Sequence, residues 1–405
     1  MSLPFLKIED HMSDVARLDS QAVANEACSR VYSSLEELPS PLLNLFEQEG
    51  HQNFFLTLEW FQNFIKTAMV PGDHVRIYGS AGQDGGGAAA AMLLMRSSDK
   101  PGSLFSARKL QALANYYSCF FAPHLGVSEA ASRDTVRALT LAIAKEKPRW
   151  DAVELQPLDV NSKTFFELVE SLKEAGFVVQ TFFSSGNWYL PVDGRNFARY
   201  AESLPSEIKN TLNRKRKKLE KTGRAKIELI TGGDRLDAAI DAYTRVYLAS
   251  WKRPEPYPQF IPGLIHTCAA MGALRLGIVY VDGEPAAAQL WIVRNRCALI
   301  YKLAYDERFA DLSVGTILSA TLFQHALDVD KVAEVDYLSG DDAYKRHWMS
   351  HRRERWGILA LNPCTPRGAL AIARHVGGRA AKRAALWLTS RLRREKQLNT
   401  TTQAQ

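Results

Sequence analysis

The sequence predicts an α/β (α+β) fold built from two successive units, each a mixed, mainly antiparallel sheet flanked by helices, with a basic helix after them. Three observations carry this reading. Period-2 apolar runs alternate with helical-period segments from Leu58 to Leu190, and again from Lys226 to Leu338. The stretch Pro191-Val-Asp-Gly194 interrupts the two series as a proline/glycine break. The net charge of +7 is also uneven. Residues 209–226 hold nine Lys/Arg and one acid, residues 364–405 the same, so the remainder carries 7 − 8 − 8 = −9. An acidic body with two basic appendages points to anionic partners.

The first unit spans 54–192, after an N-terminal segment 1–53 in which only Leu42–Phe46 suggests a helical turn. Leu58–Met69 reads as a helix with Thr57 as its N-cap and Pro71 beyond its end. Strands His74–Tyr78 and Ala88–Met95 follow, joined by the glycine-rich loop Gly82–Gly87. No strand-to-helix step follows that loop, so a hairpin tip is favoured over a phosphate cradle. Tyr116 and Tyr117 pair apolar rings with polar tips and suit a cleft wall or a packed core equally. Ser128–Lys145 is an alanine-rich helix, Asp151–Leu155 a strand, and Asn161–Ala175 a helix closed by Gly176. Phe177–Phe183 and Trp188–Leu190 complete the unit as strands.

The second unit spans 193–362. Helices Phe197–Ser203 and Ser206–Lys221 lead to strand Lys226–Ile230 and helix Asp234–Trp251. The proline-rich loop Arg253–Pro258 cannot be regular helix. Phe260–Met271 is a helix. Leu274–Val281 and Ala286–Val293 flank Asp282-Gly283, a hairpin signal, and Cys297–Tyr305 adds a third antiparallel strand. Helix Val314–Leu327 and strand Glu334–Leu338 then reach a turn at Gly340 and a charged helix, with Asp341 or Asp342 placed to cap it. Asp336, Asp341, Tyr344 and Lys345 thereby meet at one strand-to-helix corner, where open sheets usually keep their chemistry.

The spacing Asp336, Gly340-Asp341, Tyr344-Lys345 and Trp348 resembles the signature of GNAT-superfamily acetyltransferase-like proteins found beside bacterial cellulose and exopolysaccharide genes. Those proteins are relatives of the Fem-type peptidoglycan aminoacyltransferases. Leu58-Glu59-Trp60, Trp150-Asp151, the basic run Asn213–Leu219 and Ser313-Val-Gly-Thr316 fit the same pattern, over residues 54 to 361. The resemblance implies tandem GNAT-like domains, the first degenerate because it has no acid–Tyr–Lys corner. It implies an acyltransferase taking an acyl group from acetyl-CoA or a longer acyl-CoA to an amine, less readily a hydroxyl, of a cell-envelope or small-metabolite acceptor.

On that reading the donor lies where strand 297–305 splays from strand 334–338. Its phosphates meet the helix N-terminus at Ser313, Val314, Gly315 and Thr316, since unpaired N–H groups and the helix dipole favour anions. Asp336 or Asp341 orients or deprotonates the amine, Tyr344 protonates the leaving thiolate, and Lys345 stabilises the oxyanion. Arg214, Lys215, Arg216, Tyr116, Tyr117 and Trp348 are candidate substrate-binding residues. Two other readings compete: a scaffold with a degenerate transferase fold at an anionic membrane surface, and aminoacyl transfer from tRNA. The helical arm of many Fem-type enzymes is missing, and no aromatic lies among the cations of 213–219, which disfavours a nucleic-acid partner.

Scattered Cys28, Cys119, Cys268, Cys297 and Cys364 suggest neither a disulfide framework nor a metal site, so no metal is expected. No signal-like or membrane-spanning stretch is present, and a cytoplasmic protein is expected. The tail 363–405 has apolar residues at helical spacing among arginines, the pattern of an amphipathic helix for peripheral attachment to the inner membrane face.

Overall fold

The computed structural model describes residues 29–80, 90–98, 107–126 and 132–375. The expected glycine-rich loop 82–87, the N-terminal segment before 29 and the tail beyond 375 lie outside the described residues. Residues 366–375 are helical.

The strands are β1 (Ser29–Tyr32), β2 (Asp73–Ser80), β3 (Ala91–Ser98), β4 (Lys109–Ala112), β5 (His124–Leu125), β6 (Ala152–Asp159) and β7 (Val178–Pro191) in the first half. The second half contributes β8 (Ala225–Ile230), β9 (Leu274–Val281), β10 (Glu284–Arg294), β11 (Cys297–Tyr305), β12 (Glu334–Ser339) and β13 (His351–Leu361). The helices are α1 (Ser40–Gly50), α2 (Leu58–Ala68), α3 (Ser132–Lys145), α4 (Lys163–Glu174), α5 (Phe197–Glu202), α6 (Ser206–Thr211), α7 (Lys217–Thr222), α8 (Leu236–Leu248), α9 (Phe260–Ala270) and α10 (Val314–Asp328).

The two halves share one 13-stranded sheet in the order β1-β2-β3-β4-β6-β13-β7-β12-β11-β10-β9-β8, with β5 beside β3. The order is palindromic in kind. Reading inward from either end gives antiparallel strands, then one parallel pair (β4–β6 and β11–β12), then an antiparallel neighbour. That neighbour comes from the other half each time. β13 pairs with β6, β7 pairs with β12, and β7 and β13 pair with each other along their length. The halves have exchanged their last strands.

Local chemistry explains the elements. Thr57 caps α2 by accepting from the Trp60 N–H at 3.2 Å, and Ser162 caps α4 from Phe165 at 3.2 Å. Asp282 and Gly283 both take positive φ, 52° and 86°, as a two-residue hairpin between β9 and β10 requires. One apolar cluster spans both halves, bringing Trp60 and Phe61 of α2 against Phe260 and Leu264 of α9. Tyr117 stacks on Phe260 with ring centroids 3.9 Å apart. Two further clusters take in the exchanged strands: one packs Phe165 and Leu168 of α4 with Ile358 and Ala360 of β13, the other packs Phe323 of α10 and Tyr200 with Leu190 of β7.

The structure corrects several expectations. Phe177–Phe183 and Trp188–Leu190 are one strand, β7. Helix 206–221 is interrupted by a π-helical turn at Leu212–Arg216. No charged helix follows Gly340. Residues 345–347 form only a 3₁₀ turn, and the chain enters β13, which the sequence reading did not find. The polar opening of β13, His351-Arg-Arg-Glu-Arg355, hides its alternation, because Arg353 and Arg355 point toward a cavity instead of an apolar core.

Candidate active site

β11 and β12 pair only where Cys297–Leu299 lie against Glu334–Asp336. Beyond that point they part, and the opening is a cavity of about 230 Å³. β11 contributes Ile300–Leu303 to its walls, and β12 contributes Tyr337–Ser339. Tyr344 and Lys345 close it from the following turn, and Tyr116 and Tyr117 from the first half.

Lys345 is buried at 4% exposure. Its Nζ donates to the carbonyls of Ser339 at 2.6 Å and Tyr337 at 3.1 Å, which flank Leu338 in the left-handed region at φ 56°. The ammonium thus pins a bulge in β12. Burial depresses the Lys345 pKa, an effect that Asp342 at 3.8 Å only partly opposes. Tyr344 is 40% exposed, sits edge-on to Tyr337, and has its pKa raised by burial and then by Asp342. It keeps its proton at neutral pH.

The two acids do not join this pair. Asp336 lies on the opposite face of β12 from Tyr337. Its Oδ1 accepts from the Leu338 N–H at 2.6 Å and its Oδ2 pairs with Arg353. Asp341 caps no helix. Arg352 grips it with two bonds of 2.8 and 2.7 Å, Trp188 Nε1 donates at 3.1 Å, and its pKa falls chiefly through the Arg352 bonds. Trp348 stacks on Phe323 at 5.0 Å, and its carbonyl accepts from the Tyr200 hydroxyl at 2.7 Å. That places it in the core, away from the cavity.

The basic run and the helix N-terminus do meet. Ser313 takes φ 56° and its side chain makes no cap bond to α10. Instead Lys215 Nζ, from the π turn, donates to Ser313 Oγ and to the Asp311 carbonyl, each at 2.9 Å. The first N–H groups of α10, from Val314, Gly315 and Thr316, therefore lie beside a lysine, with Arg214 exposed and Arg216 half-buried on the same turn. π turns inside helices are frequent at functional sites.

Three residues escaped the sequence reading. Glu255, from the proline-rich loop, pairs with Lys302 at 2.8 Å, both side chains 10% exposed. Burial alone would raise the Glu255 pKa, yet Lys302, Tyr247 and Tyr117 together bring it below its usual value. Tyr117 donates to Glu255 at 2.8 Å, and Lys302 Nζ lies 4.7 Å from the centre of the Tyr116 ring. Lys252 also lines the cavity, and burial, then the charge of Lys302, push its pKa down to about 8. A lone lysine inside the apolar strand 297–305 was the available signal for Lys302. Among the described residues no His, Cys, Asp or Glu group is arranged to hold a metal ion, and no helix is long and apolar enough to cross a membrane.

Residues 206–346 match the family model described as the acetyltransferase (GNAT) domain. No curated protein matches the chain. The solved structure of FemX is similar with a TM-score of 0.53 at 11% identity, covering 77% of this chain and 95% of that one. A tandem GNAT protein from the clavulanic acid biosynthesis pathway aligns at TM-score 0.47 and 10% identity, covering 83% of this chain and all of that one. The matched segment contains β11, α10 and β12 together with Tyr344 and Lys345. Residues 206–346 are thus similar to a GNAT-type acetyltransferase domain, within a mixed α/β fold of the kind seen in FemX.

Proposed function

We propose that the protein is an N-acyltransferase that moves an acyl group from acetyl-CoA or a longer acyl-CoA to an amine. The acceptor class is a cell-envelope, exopolysaccharide-related or small-metabolite amine, with a hydroxyl as the second choice. Residues 54–192 and 193–362 are, on this proposal, two GNAT-like units, the first without a catalytic corner. The observation that carries the reading is the splay of β11 from β12. It opens onto Tyr344 and Lys345, beside a helix N-terminus whose cap is a serine held by Lys215.

In this reading the donor phosphates meet the N–H groups of Val314, Gly315 and Thr316 and the Ser313 hydroxyl, with Arg214, Lys215 and Arg216 alongside, and the thioester reaches into the splay. The acceptor nitrogen attacks the thioester carbon, and the C–S bond breaks. Lys345 spends two N–H groups on β12 carbonyls and has a third for the oxyanion. Tyr344 gives its proton to the departing thiolate. Lys252, with a pKa near 8, accepts a proton from the amine. Asp336 and Asp341, each held by an arginine, fix the two ends of the turn that presents Tyr344 and Lys345.

Calorimetry with CoA tests the donor site. A Cβ at Gly315 would stand 3.3 Å from the Tyr305 ring, so Gly315→Asp adds both crowding and negative charge there. Affinity is expected to fall by at least about tenfold, roughly 1.4 kcal/mol. Absence of CoA binding by the unaltered chain, or equal binding by the variant, rules the donor site out. Peripheral membrane attachment through the basic tail 363–405 is part of the proposal. It predicts co-sedimentation with anionic vesicles that high salt releases and that truncation at Asn362 abolishes.

A further inference from the structure

We propose that the cavity on the other side of β12 is a recognition site for a carboxylate, read by Arg355, and that it selects amino-acid-type acceptors. The assignment of the ligand as acceptor rests on the acyltransferase reading; the site itself does not.

The cavity has a volume of about 750 Å³, within the range of small-molecule sites. Both halves build it. β12 supplies Glu334 and Asp336, the exchanged strands supply Asn187, Arg353 and Arg355, and Phe120 comes from the first half. Cys119 and Leu338 line both this cavity and the splay, so a ligand here lies next to the donor opening.

Arg355 distinguishes the cavity from a structural ion network. It is 5% exposed, and its Nε has no hydrogen-bond partner. Its Nη1 lies 3.1 Å from Asp159 Oδ2 but out of hydrogen-bond alignment, and its Nη2 has only a 3.5 Å contact with Asn187 Oδ1. The neighbouring Arg353, by contrast, binds Asn187 and Glu334 at 2.7 Å each and also pairs with Asp336. A buried guanidinium short of acceptors is costly, because desolvation is not repaid by bonds. Its planar face lies over the Phe120 ring at 5.1 Å, which orients the fork. The poorly bonded Nε–Nη2 edge matches a planar group with two oxygens. Exposed Arg296 makes no side-chain bond among the described residues and stands at the same cavity.

The sign and size of the anion follow from the other walls. Glu49, Asp159, Glu334 and Asp336 line the cavity alongside Arg294, Arg296, Arg353 and Arg355, so the walls offer no surplus of cations for a doubly charged phosphate, which meets about twice the repulsion from the acids that a singly charged carboxylate does. The same acids favour a ligand that also carries an ammonium group. A carboxylate and an amine on one small molecule describe an amino acid or short peptide.

The test is calorimetry on the full chain without donor, using the common amino acids and dipeptides, their methyl esters, and phosphoethanolamine. At least one amino acid or dipeptide is expected to bind, and its methyl ester to bind about 10–100-fold more weakly, the worth of a hydrogen bond to a charged group. Arg355→Lys keeps the charge facing Asp159 but loses the fork, and is expected to weaken binding by about tenfold or more with folding retained. Arg296→Gln, at an exposed position, provides a second variant, expected to lower affinity mainly at low salt. Failure of every amino acid and dipeptide to bind, equal binding of acid and ester, or tighter binding of phosphoethanolamine overturns the proposal. CoA titration is independent of all these measurements, so a failed carboxylate site and a failed donor site are told apart.

Discussion

Replacing Lys345 by methionine separates the two tasks the structure gives this side chain. The ammonium donates to the Ser339 and Tyr337 carbonyls at 2.6 and 3.1 Å from a 5%-exposed side chain. Bonds from a charged donor are worth about 1.5–3 kcal/mol each, a gross loss of roughly 3–6 kcal/mol. Against this, methionine needs no desolvation of a charge, a cost on the order of several kcal/mol for a buried ion, and burial is also what lowers the Lys345 pKa. The net expectation is a destabilisation of about 1–3 kcal/mol, read as a lower urea midpoint at unchanged slope. Leu338 keeps its left-handed conformation in the variant, since its N–H still donates to Asp336 Oδ1 at 2.6 Å and its carbonyl still accepts from Asn187 at 3.1 Å. Loss of the oxyanion donor adds a fall in turnover of about a hundred- to a thousandfold. Arginine should not restore it, because a planar fork cannot reach both carbonyls as an ammonium does. A methionine variant with the original midpoint and turnover within about threefold, chemistry being rate-limiting, refutes both the pinning and the catalytic role.

Other outcomes follow from titratable groups. Lys252 is expected to titrate near pH 8 against 10.5 unfolded, so between those values the unfolded chain binds the extra proton and stability rises with pH. The rate should rise through the same pKa near 8, and Lys252→Met should flatten that limb; an unchanged pH profile in the variant removes Lys252 from the mechanism. His124 is fully buried, its Nε2 facing the Leu56 carbonyl at 2.9 Å and its Nδ1 unpartnered, and burial lowers its pKa to about 4. Here too the unfolded chain binds more protons, between about pH 6.5 and 4, so acidification across that window costs roughly 3 kcal/mol. His124→Gln should make that part of the acid limb shallower in denaturation curves; an identical limb would show that His124 does not contribute.

Much of the fold was legible because each half repeats local signals. The Asp282-Gly283 hairpin, the Thr57 cap and the apolar strand 297–305 are written in adjacent residues. The exchange of β7 and β13 was not, since it depends on pairing between strands about 170 residues apart, as between Trp188 and Arg352. The site divided in the same way. Tyr344, Lys345 and Ser313–Thr316 were candidates named through the resemblance, and the structure brings Tyr344 and Lys345 to the splay and Lys215 to Ser313. Asp336 looked equivalent to them on paper. Alternation along β12 sends it to the opposite face, where Arg353 holds it. Glu255 and Lys302 find each other only through packing of α9 and its preceding loop against β11, which no local pattern encodes.

The crossed strands set a timetable for the nascent chain. β6 ends at Asp159, and its partner β13 begins at His351, 351 − 159 = 192 residues later. At about 5–20 residues per second, β6 waits roughly 10–40 s for the strand that will cover it. During that interval the first half can collapse but cannot close. Its unpaired edge, the eight residues of β6, is available to an extended segment, including β7 of the same chain or of a neighbour, with Glu154 and Pro157 as the residues on it that oppose such pairing. A ribosome-bound chain arrested between residues 192 and 350 should therefore recruit holding chaperones, and release of β13 should discharge them.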